Sequence, residues 1–574
     1  MGLIVTAPCS SLVSTPRIGS IHEDVTTDVL GQIGAWQWMV TIVSTTLMAS
    51  NMFNQYEDMF LLKQSTNIVC TLPQGFNANN YSQCHVIAKN NSEEIRCQLW
   101  HVKVLGLFWL KKNWIMACDQ DWKFLSAAMI CRLGVMFGYV VFGLISDSFG
   151  RKKAMVLDVY TNLVLRISII VCDSESWFRL LVFIRSLLGS ANNFMGLILI
   201  CEIASNKWRS WLSMIVATPR LLAAVCMVPL ARALSNSESF TFIACLYDLL
   251  LIVILRWTPE SPQWLLFNNK ITKAEKTIFK GAKQNHVSLC SDFKIRPVNQ
   301  RAYVCLDEDQ TCIPILSTHN TRVLTFVSLI FWSLNCFSWS IIYSTNYSGE
   351  QTNYYLLKIL CLVAIIGCLT VVLSLKCSLR HLLMIHIFLA GVSGLAALTC
   401  KEVGEPICSI LYPFALATSL NAHAITLSIT PRLFAIKIRA TLLGCCHAAG
   451  QMGAIIGYLI TSLKLVDEIT LALLEAAATV AMLVLCLVFP DVDDREMPDV
   501  LEDMDYFSEL SKPLRWATQK THSPSREEIE LRNLSFGSTR ARVASSTTSE
   551  HAPARPIGCA TLWRAIYRLF CRNK

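Results

Sequence analysis

Apolar stretches of about twenty residues alternate with short polar segments along most of the chain. An α-helix of about 20 apolar residues spans the hydrocarbon core of a bilayer. The stretches fall near 35–56, 123–145, 154–172, 178–201, 211–233 and 239–257, and again near 321–343, 354–375, 381–400, 405–429, 439–462 and 466–489. The pattern therefore predicts an all-α membrane protein whose twelve transmembrane helices form two six-helix bundles.

The polar segments divide the chain around these bundles. They predict a cytoplasmic N-terminal segment over 1–34, a first bundle over 35–257 with a large loop at 57–122, a cytoplasmic central loop over 258–320, a second bundle over 321–489 and a disordered cytoplasmic tail over 490–574. Lysine and arginine resist translocation, and the central loop is rich in both, which places it in the cytoplasm. An even number of crossings leaves both termini on that side.

Composition agrees with a membrane protein. Hydrophobic residues make up 53% of the 574 residues and charged residues only 16%, with a mean hydropathy of +0.44. Soluble chains carry about 25% charged residues, so a soluble enzyme is excluded. The net charge of +9 comes from basic loops that set orientation, and it indicates the lipid bilayer rather than nucleic acid as a partner. In the central loop, lysines at a helical spacing also fit a helix lying on an anionic membrane face.

The loop at 57–122 has the features of an extracellular segment. Asn80 and Asn90 lie there in Asn-x-Ser/Thr glycosylation sequons, and a third sequon, at Asn346, falls between the seventh and eighth predicted helices. All three lie on one side of the twelve-helix arrangement. We therefore identify that side as the outside.

Four cysteines lie in or beside the same loop, namely Cys70, Cys84, Cys97 and Cys118. An oxidising extracellular environment favours disulfide bonds between them. Four cysteines allow three pairings, and the sequence does not choose among these.

A tight turn joins the second and third apolar stretches. It has the pattern Gly143-x-x-x-Asp147-x-x-Gly150-Arg151-Lys152, with an acid and a glycine followed by basic residues. The turn is too short to hold a domain, so its two helices are antiparallel neighbours. The motif resembles the loop between the second and third helices of the major facilitator transporters, and this resemblance implies the major facilitator fold.

Further segments narrow the resemblance. In chain order they are Gly31-x-x-Gly34-x-x-Gln37, the large cysteine-bearing loop, Trp114–Asp119, Pro259–Leu266, Phe489–Asp491 and Met497–Asp499. Their order and spacing resemble those of the organic cation/anion/zwitterion transporter family, solute carrier family 22, of which the chain looks like a divergent member. The resemblance implies one central substrate site that is exposed alternately to each side of the membrane.

The resemblance also implies an inner gate, a set of mostly charged residues that closes the cytoplasmic side. At the matching positions this chain has Asp147, Gly150, Arg151, Lys152, Glu202, Arg209, Glu260 and Arg439. We expect Asp147 to cap a neighbouring helix and Arg151 to pair with Glu202 or Glu260 when the gate closes. Such pairs bias one state against the other. The alternative is that these charges only set the membrane topology.

The C-terminal half departs from the family at the equivalent positions. Where relatives carry an acid after the tenth helix, this chain has Arg432, and Lys376–Arg380 replaces their Gly-Arg-Arg after the eighth helix. Of the gate positions in this half, only Arg439 has the residue that the family has. We therefore expect one half of the gate to be complete and the other half to be eroded.

Two positions that select substrate charge in the family are neutral here. The alignment places Gln451 at the selector position of the eleventh helix and Ile365 at that of the eighth. Arg220 in the fifth helix and Lys358 in the eighth are placed to meet an anionic group. The alternative is that they pair with Asp248 or extend to a membrane interface.

One face of the predicted seventh helix is aromatic. Trp332, Asn335, Trp339 and Tyr343 recur at intervals of three and four residues. Such a face suits a planar or amphipathic organic solute through stacking and cation–π contact, and the alternative is that it packs the bundle core. These four residues, with Arg220, Lys358 and Gln451, form the predicted substrate site.

Together these patterns predict transport of small organic ions across the plasma membrane by alternating access, with anions or zwitterions favoured over simple cations. The alternative is a non-transporting receptor or interaction protein of the same fold, which the eroded half-gate favours. The sequence contains no Gly-x4-Gly-Lys-Ser/Thr loop, metal-spaced Cys/His cluster or hydrolase signature. We therefore expect no enzymatic activity, cofactor or metal, while the oligomeric state stays open.

Overall fold

The structure is a computed structural model of the 574-residue chain. It describes residues 2–6, 29–31, 33–61, 68–70, 85–87, 94–97, 100–104, 107–112, 121–219, 237–287, 294–298, 319–347, 353–399, 405–493, 497–498 and 504. In the strands, and in the helices at 51–52, 55–61, 121–128, 237–239, 345–347, 353–361 and 405–409, it describes the backbone alone. All these residues belong to the compact unit Met1–Leu514, and the second unit, Arg515–Lys574, lies outside them.

Helical segments occur at all twelve predicted transmembrane positions. The first half contains α1 (Ala35–Leu61), α2 (Asp121–Phe149), α3 (Arg151–Val171), α4 (Glu175–Leu188), α5 (Met195–Ile203), α6 (206–219) and α7 (Ser237–Ile254). Two shorter helices follow, α8 (Pro262–Phe267) and α9 (Ile271–Gln284). The second half contains α10 (His319–Tyr347), α11 (Asn353–Leu373), α12 (Leu379–Thr399), α13 (Glu405–Ile429), α14 (Arg439–Ser462) and α15 (Glu468–Val488).

Within the described part of the chain, seven helices are long and apolar enough to cross a membrane. They are Met129–Phe149, Arg151–Val171, Thr321–Ser344, Leu379–Thr399, Ile410–Arg432, Arg439–Ser462 and Glu468–Val488. The apolar helices Phe240–Ile254 and Leu362–Leu373 are shorter. Large apolar side chains such as Val164, Ile167 and Val171 on α3 are exposed, as expected of a surface that faces lipid. The expected all-helical membrane fold is therefore confirmed.

The fourth transmembrane segment is interrupted. Helix α4 ends at Leu188, a 3-10 turn covers Ala191–Asn193, and α5 begins at Met195. The apolar pattern predicted one continuous helix over 178–201. The difference arises within Gly189–Phe194, where glycine, serine and two asparagines, all poor helix formers, favour a turn.

Short strands occur outside the membrane helices, and the apolar pattern did not predict them. Strand β1 (Gly2–Thr6) pairs antiparallel with β7 (Lys294–Val298). In the large loop, β2 (Ile68–Cys70), β5 (Trp100–Val104) and β6 (Leu107–Lys112) form a sheet in the order β2-β5-β6, while β3 (His85–Ile87) pairs with β4 (Glu94–Arg96). Strands β1 and β7 lie far apart in the chain, so their pairing leaves no local sequence signal, whereas β5 and β6 are neighbouring segments.

Helix α9 packs one face on the rest of the protein. Its buried residues are Ala274, Ile278, Gly281 and Ala282, and Gly281 lies against the ring of Trp36 at the start of α1. At the C-terminal end of α9, the Asn285 side chain donates to Oε1 of Gln37 at 2.9 Å and accepts from the backbone N–H of Trp36 at 2.8 Å. The lysine spacing predicted this helix correctly, but its apolar face is covered by α1.

Glycines let α2 and α14 approach closely, and these helices belong to different halves of the fold. Gly143 on α2 lies against the carbonyl oxygen of Ala440, and Gly444 on α14 lies against that of Tyr139. Any side chain at either glycine would overlap the facing backbone, and small residues at helix crossings permit such contacts in membranes. The two halves are therefore in contact at the end of the fold where α2 joins α3.

Candidate functional site

Asp147 joins the two halves at this contact. Its carboxylate accepts hydrogen bonds from the backbone N–H groups of Ala440 (3.2 Å) and Thr441 (2.8 Å) and from the Thr441 hydroxyl (2.7 Å). Ala440 and Thr441 lie in the first turn of α14, whose N–H groups have no partner within the helix and whose dipole favours an anion. Asp147 thus caps a helix of the opposite half.

A buried ionic network lies beside this cap. Glu202, at the end of α5, accepts from Nη2 of Arg151 at 2.9 Å and from its Nε at 3.2 Å. On the other side, Nη1 of Arg439 donates to the same carboxylate at 2.9 Å. All three side chains are fully buried. Since Arg151 and Glu202 belong to the first half and Arg439 to the second, one carboxylate bridges the halves.

Glu260, which precedes α8 in the chain, packs against the start of α3 and accepts hydrogen bonds from its first turn. Its Oε1 accepts from the backbone N–H groups of Arg151 (2.8 Å) and Lys152 (3.3 Å). Gly150, with φ of 115°, precedes this turn, and a side chain there would meet the Glu260 carboxylate. Burial raises the pKa of Glu260 above its ordinary value of 4.5, while the N–H groups of Lys152 and Ser261 and the charge of Arg151 oppose that shift.

Arg209 contributes differently from the expectation. Its guanidinium donates to the carbonyl oxygens of Cys201 (2.9 Å) and Ala204 (3.0 Å), at the C-terminal end of α5. A cation there satisfies carbonyls that lack a helical partner. Arg209 thus holds the helix end that carries Glu202.

The second half contains an ion pair that the motifs did not predict. Arg432 donates from Nη1 to Oδ1 of Asp493 at 3.0 Å and to Oγ of Ser210 at 2.8 Å, and Oδ2 of Asp493 accepts from the N–H of Leu379 at 2.5 Å. Asp493 accepts a hydrogen bond from the first N–H of α12, just as Glu260 accepts one from the first N–H of α3. The half-gate expected to be eroded therefore contains an acid supplied from the segment after α15, three residues beyond Pro490.

A central cluster of aromatic rings lies between the halves. It consists of Tyr139, Phe194, Trp332, His423 and His447. The His447 ring stacks on Phe194 with centroids 5.1 Å apart and lies 4.3 Å from Trp332, so α14 connects a ring of the first half with one of the second. Of these five rings only Trp332 was predicted, because ring stacking between helices has no local sequence signature.

The sugar (and other) transporter family model matches residues 78–489. The chain belongs to this family. Solute carrier family 22 member 4 of Mus musculus is 24% identical over 430 residues, which cover 72% of this chain and 75% of the relative. Organic cation/carnitine transporter 2 of Homo sapiens is 23% identical over 402 residues, covering 68% and 71%. The chain is thus a divergent solute carrier family 22 member of the major facilitator superfamily, and its function is that of a membrane transporter.

Solved structures agree on the fold of this transporter. The major facilitator proton:xylose symporter XylE, bound to 6-bromo-6-deoxy-D-glucose, superposes with a TM-score of 0.54 at 15% identity, covering 82% of this chain and 99% of its own. A double tryptophan mutant of XylE gives a TM-score of 0.55 at 13% identity, covering 83% and 99%. At such identities the likeness shows the major facilitator fold alone.

In the transporter, the predicted aromatic face of α10 meets α13. Trp332 donates from Nε1 to the Thr430 hydroxyl at 3.0 Å, and Asn335 donates from Nδ2 to the Thr426 hydroxyl at 3.2 Å. Trp339 stacks on Tyr343 with ring centroids 5.3 Å apart. The face thus divides into a buried pair, Asn335 against α13 and Trp332 against the 3-10 turn that follows it at Thr430–Arg432, and a stacked pair further along α10.

The other predicted substrate residues lie apart from one another. Gln451 is partly exposed on α14, one turn beyond His447. Ile365 is 64% exposed on one stripe of α11 with Leu369 and Val372. This orientation does not fit the alignment that placed Ile365 at the selector position of the eighth helix. Arg220 and the side chain of Lys358 lie outside the described residues, and the roles assigned to them stay predictions.

The predicted modification sites fall mostly outside the described residues. Cys97 is disulfide-bonded, whereas the side chains of Cys70, Cys84 and Cys118 are not described, and neither are Asn80 and Asn90. Asn346 was predicted between two helices, but it lies in the last turn of α10, which extends to Tyr347. The helix continues because polar residues past the bilayer core still form backbone hydrogen bonds.

Proposed function

We propose that this transporter moves small organic ions by alternating access, at the plasma membrane and with both termini in the cytoplasm. Anions and zwitterions are preferred over simple cations. The three glycosylation sequons, Asn80, Asn90 and Asn346, lie on the outer side in this arrangement.

The position of Glu202 between Arg151 and Arg439 is the observation that carries the proposal of alternating access. Breaking contacts between the halves at one end of a two-bundle fold opens the central cluster to that side. The cap from Asp147 to α14 and the hydrogen bond from Arg432 to Ser210 cross the same boundary. The inner gate is therefore closed in this arrangement, and its opening requires these buried contacts to separate.

The substrate preference rests on the central cluster and its surroundings. Trp332, Phe194 and Tyr139 offer ring faces, and Asn335 offers an amide, which suits a planar or amphipathic solute. A neutral Gln451, one turn beyond His447, discriminates weakly by charge. Arg220 and Lys358 supply the proposed bias towards anionic groups. Carnitine, named for the human relative, is a zwitterion and fits the same chemistry.

Uptake into proteoliposomes tests the proposal. The purified full chain is reconstituted and offered three probes at equal concentration: p-aminohippurate as an anion, carnitine as a zwitterion and tetraethylammonium as a cation. We expect saturable uptake of the anion or the zwitterion. This uptake should be faster into liposomes that are preloaded with the same solute. Cation uptake that exceeds both would contradict the substrate preference.

Gln451→Arg is the variant that tests the site. A cation at this position should raise anion uptake severalfold, because it places a positive charge one turn from His447. Gln451→Met serves as the matched control, since it keeps the length of the side chain without a charge. Equal anion uptake by both variants would place the substrate elsewhere.

The receptor alternative has lost its main support. It rested on the missing acid of the second half-gate, and Asp493 supplies an acid to Arg432. The same uptake panel separates the two functions. Saturable binding of a probe without flux would favour the receptor. Substitutions in the inner gate, such as Glu202→Gln, should then leave the binding of that probe unchanged.

A further inference from the structure

An arginine of α2 lies between the two halves of the fold. Arg132 belongs to the apolar segment Met129–Phe149, and its guanidinium carbon lies over the ring of Tyr458 on α14, 4.9 Å from the ring centroid. Such a contact is an attraction between a cation and the negative face of an aromatic ring. Both side chains are half-buried. Because α2 belongs to the first half and α14 to the second, the pair spans the boundary between the halves.

Both side chains lie off the lipid-facing stripes of their helices. The large apolar residues that α2 exposes are Leu133, Phe137, Val141 and Leu144. Those that α14 exposes are Met452, Ile456 and Leu463. At 3.6 residues per turn, Arg132 and Tyr458 each lie about 140° around the helix from the centre of its exposed stripe. The partial exposure of Arg132 is therefore towards the space between the halves rather than towards lipid.

The pair lies beside the central cluster. Arg132 precedes Tyr139 by seven residues on α2, and Tyr458 follows His447 by eleven residues on α14. These spacings correspond to about two and three helical turns, so each residue is on the face of its helix that carries a ring of the cluster. Asp147 lies beyond the cluster in the other direction along α2. A solute that enters from the side opposite to the proposed inner gate therefore passes Arg132 before it reaches the cluster.

A guanidinium at this position suits a carboxylate. Charged side chains inside membrane segments are costly, and they usually face a substrate or ion path. The Tyr458 ring engages the flat face of the Arg132 guanidinium, whereas a carboxylate pairs with the N–H groups along the edge of a guanidinium, often through two parallel hydrogen bonds. The arginine can thus keep its ring contact while it binds an anionic group.

We propose that Arg132 binds the carboxylate of the transported solute next to the central cluster, and that Tyr458 is the positioning residue that holds the guanidinium between the halves. This inference rests on the proposed function, and it names a described side chain that gives the preference for anions and zwitterions. The positive charge of Arg132 supplies this preference even though the selector position of α14 holds the neutral Gln451.

Ligand binding by the purified full chain in detergent tests the proposal without transport. The midpoint of thermal unfolding is measured against increasing concentrations of p-aminohippurate and of its methyl ester, which keeps the ring and lacks the charge. A ligand that binds the folded state raises the midpoint, so the two titrations give relative affinities. The parent chain should bind the acid about 10–100-fold more tightly than the ester. Arg132→Gln should bind the two ligands equally.

Three further variants sharpen the test. Tyr458→Phe keeps the ring and should keep the preference for the acid, whereas Tyr458→Leu loses the ring and should lower this preference. Arg132→Lys keeps the charge but loses the planar N–H edge, so it should lower the preference severalfold, and it replaces Arg132→Gln if that variant does not fold. Arg256→Gln is the matched control, since Arg256 is exposed just after α7 and its removal should leave the preference unchanged.

The outcomes separate this proposal from the proposed function. A preference for the acid that survives in Arg132→Gln overturns the proposal, and so does a parent chain that does not bind the acid. Equal weakening of the acid and the ester in that variant also overturns it, because loss of a structural contact has this effect. Failure of the proposed substrate preference has a different signature: liposomes with the parent chain take up tetraethylammonium faster than p-aminohippurate and carnitine.

Discussion

Replacing Glu202 by glutamine is the sharpest perturbation of the proposed inner gate. The substitution keeps the volume of the side chain and removes the one charge that faces two buried guanidinium groups. Glu202 lies 2.9 Å from Nη2 of Arg151 and 2.9 Å from Nη1 of Arg439, and all three side chains are fully buried. Both arginines then lose their shared carboxylate while the gate is closed.

The expected magnitude follows from burial. Removing one partner of a buried ion pair destabilises by about 3–5 kcal/mol, since it leaves an uncompensated charge. When the gate opens, water solvates the arginines, so most of this penalty falls on the closed state. We take the destabilisation of the closed state as about 3 kcal/mol. Since a tenfold change in an equilibrium corresponds to about 1.36 kcal/mol, the ratio of closed to open molecules falls about 150-fold.

Hydrogen–deuterium exchange at the start of α14 measures this change. The amides of Ala440 and Thr441 bond to Asp147 across the boundary between the halves, so they exchange when the gate opens. We expect exchange in this segment to become about 100-fold faster in Glu202→Gln.

Glu175→Gln is the matched control. Glu175 forms an ion pair with Arg179 at 2.5 Å, but these side chains are 33% and 25% exposed, and an exposed pair contributes only about 0–1 kcal/mol. Exchange at Ala440 and Thr441 should stay unchanged in this variant. Equal protection in both variants would refute the view that Glu202 holds the halves together.

Three further outcomes are expected. Gly444→Ala should lower the unfolding midpoint by several degrees because its methyl group overlaps the facing backbone. Gly394→Ala should change the midpoint little, since an added methyl group there lies 3.4 Å from its nearest neighbouring atom. The raised pKa of Glu260 means that the closed gate binds a proton more readily than the open gate. Between pH 4.5 and that raised pKa, acidification should therefore favour closure, measured as slower α14 exchange after correction for intrinsic rates. Glu260→Gln should weaken this dependence. Arg432→Glu should speed exchange near α12, and adding Asp493→Lys should restore protection; failure of the double variant to do so would exclude a charge pair.

Several contacts of the proposed inner gate were predictable because their motif is local. The turn from Gly143 to Lys152 has a fixed spacing, so the positions of Asp147 and Arg151 followed from the sequence. Asp493 escaped prediction for the opposite reason. It lies in a segment with no regular periodicity, and only the folded chain brings it to Arg432, 61 residues earlier.

For some helices the sequence also did not predict which face points into the protein. The alignment assigned Ile365 to the substrate side, but α11 turns it outwards with Leu369. A uniformly apolar helix has no polar face from which its orientation can be predicted. The aromatic stripe of α10 had such a signal, and Trp332 and Asn335 are buried against α13.

The sequence by itself determined the membrane helices, their order and the family, because hydropathy and short motifs are properties of contiguous residues. Only the tertiary structure decided which charges meet. Glu202 faces Arg439 across 237 residues, and Asp158 meets Asn192 because the fourth membrane segment breaks beside it. Buried charges find partners through the packing of distant helices, and that packing depends on the whole fold rather than on any one stretch of chain.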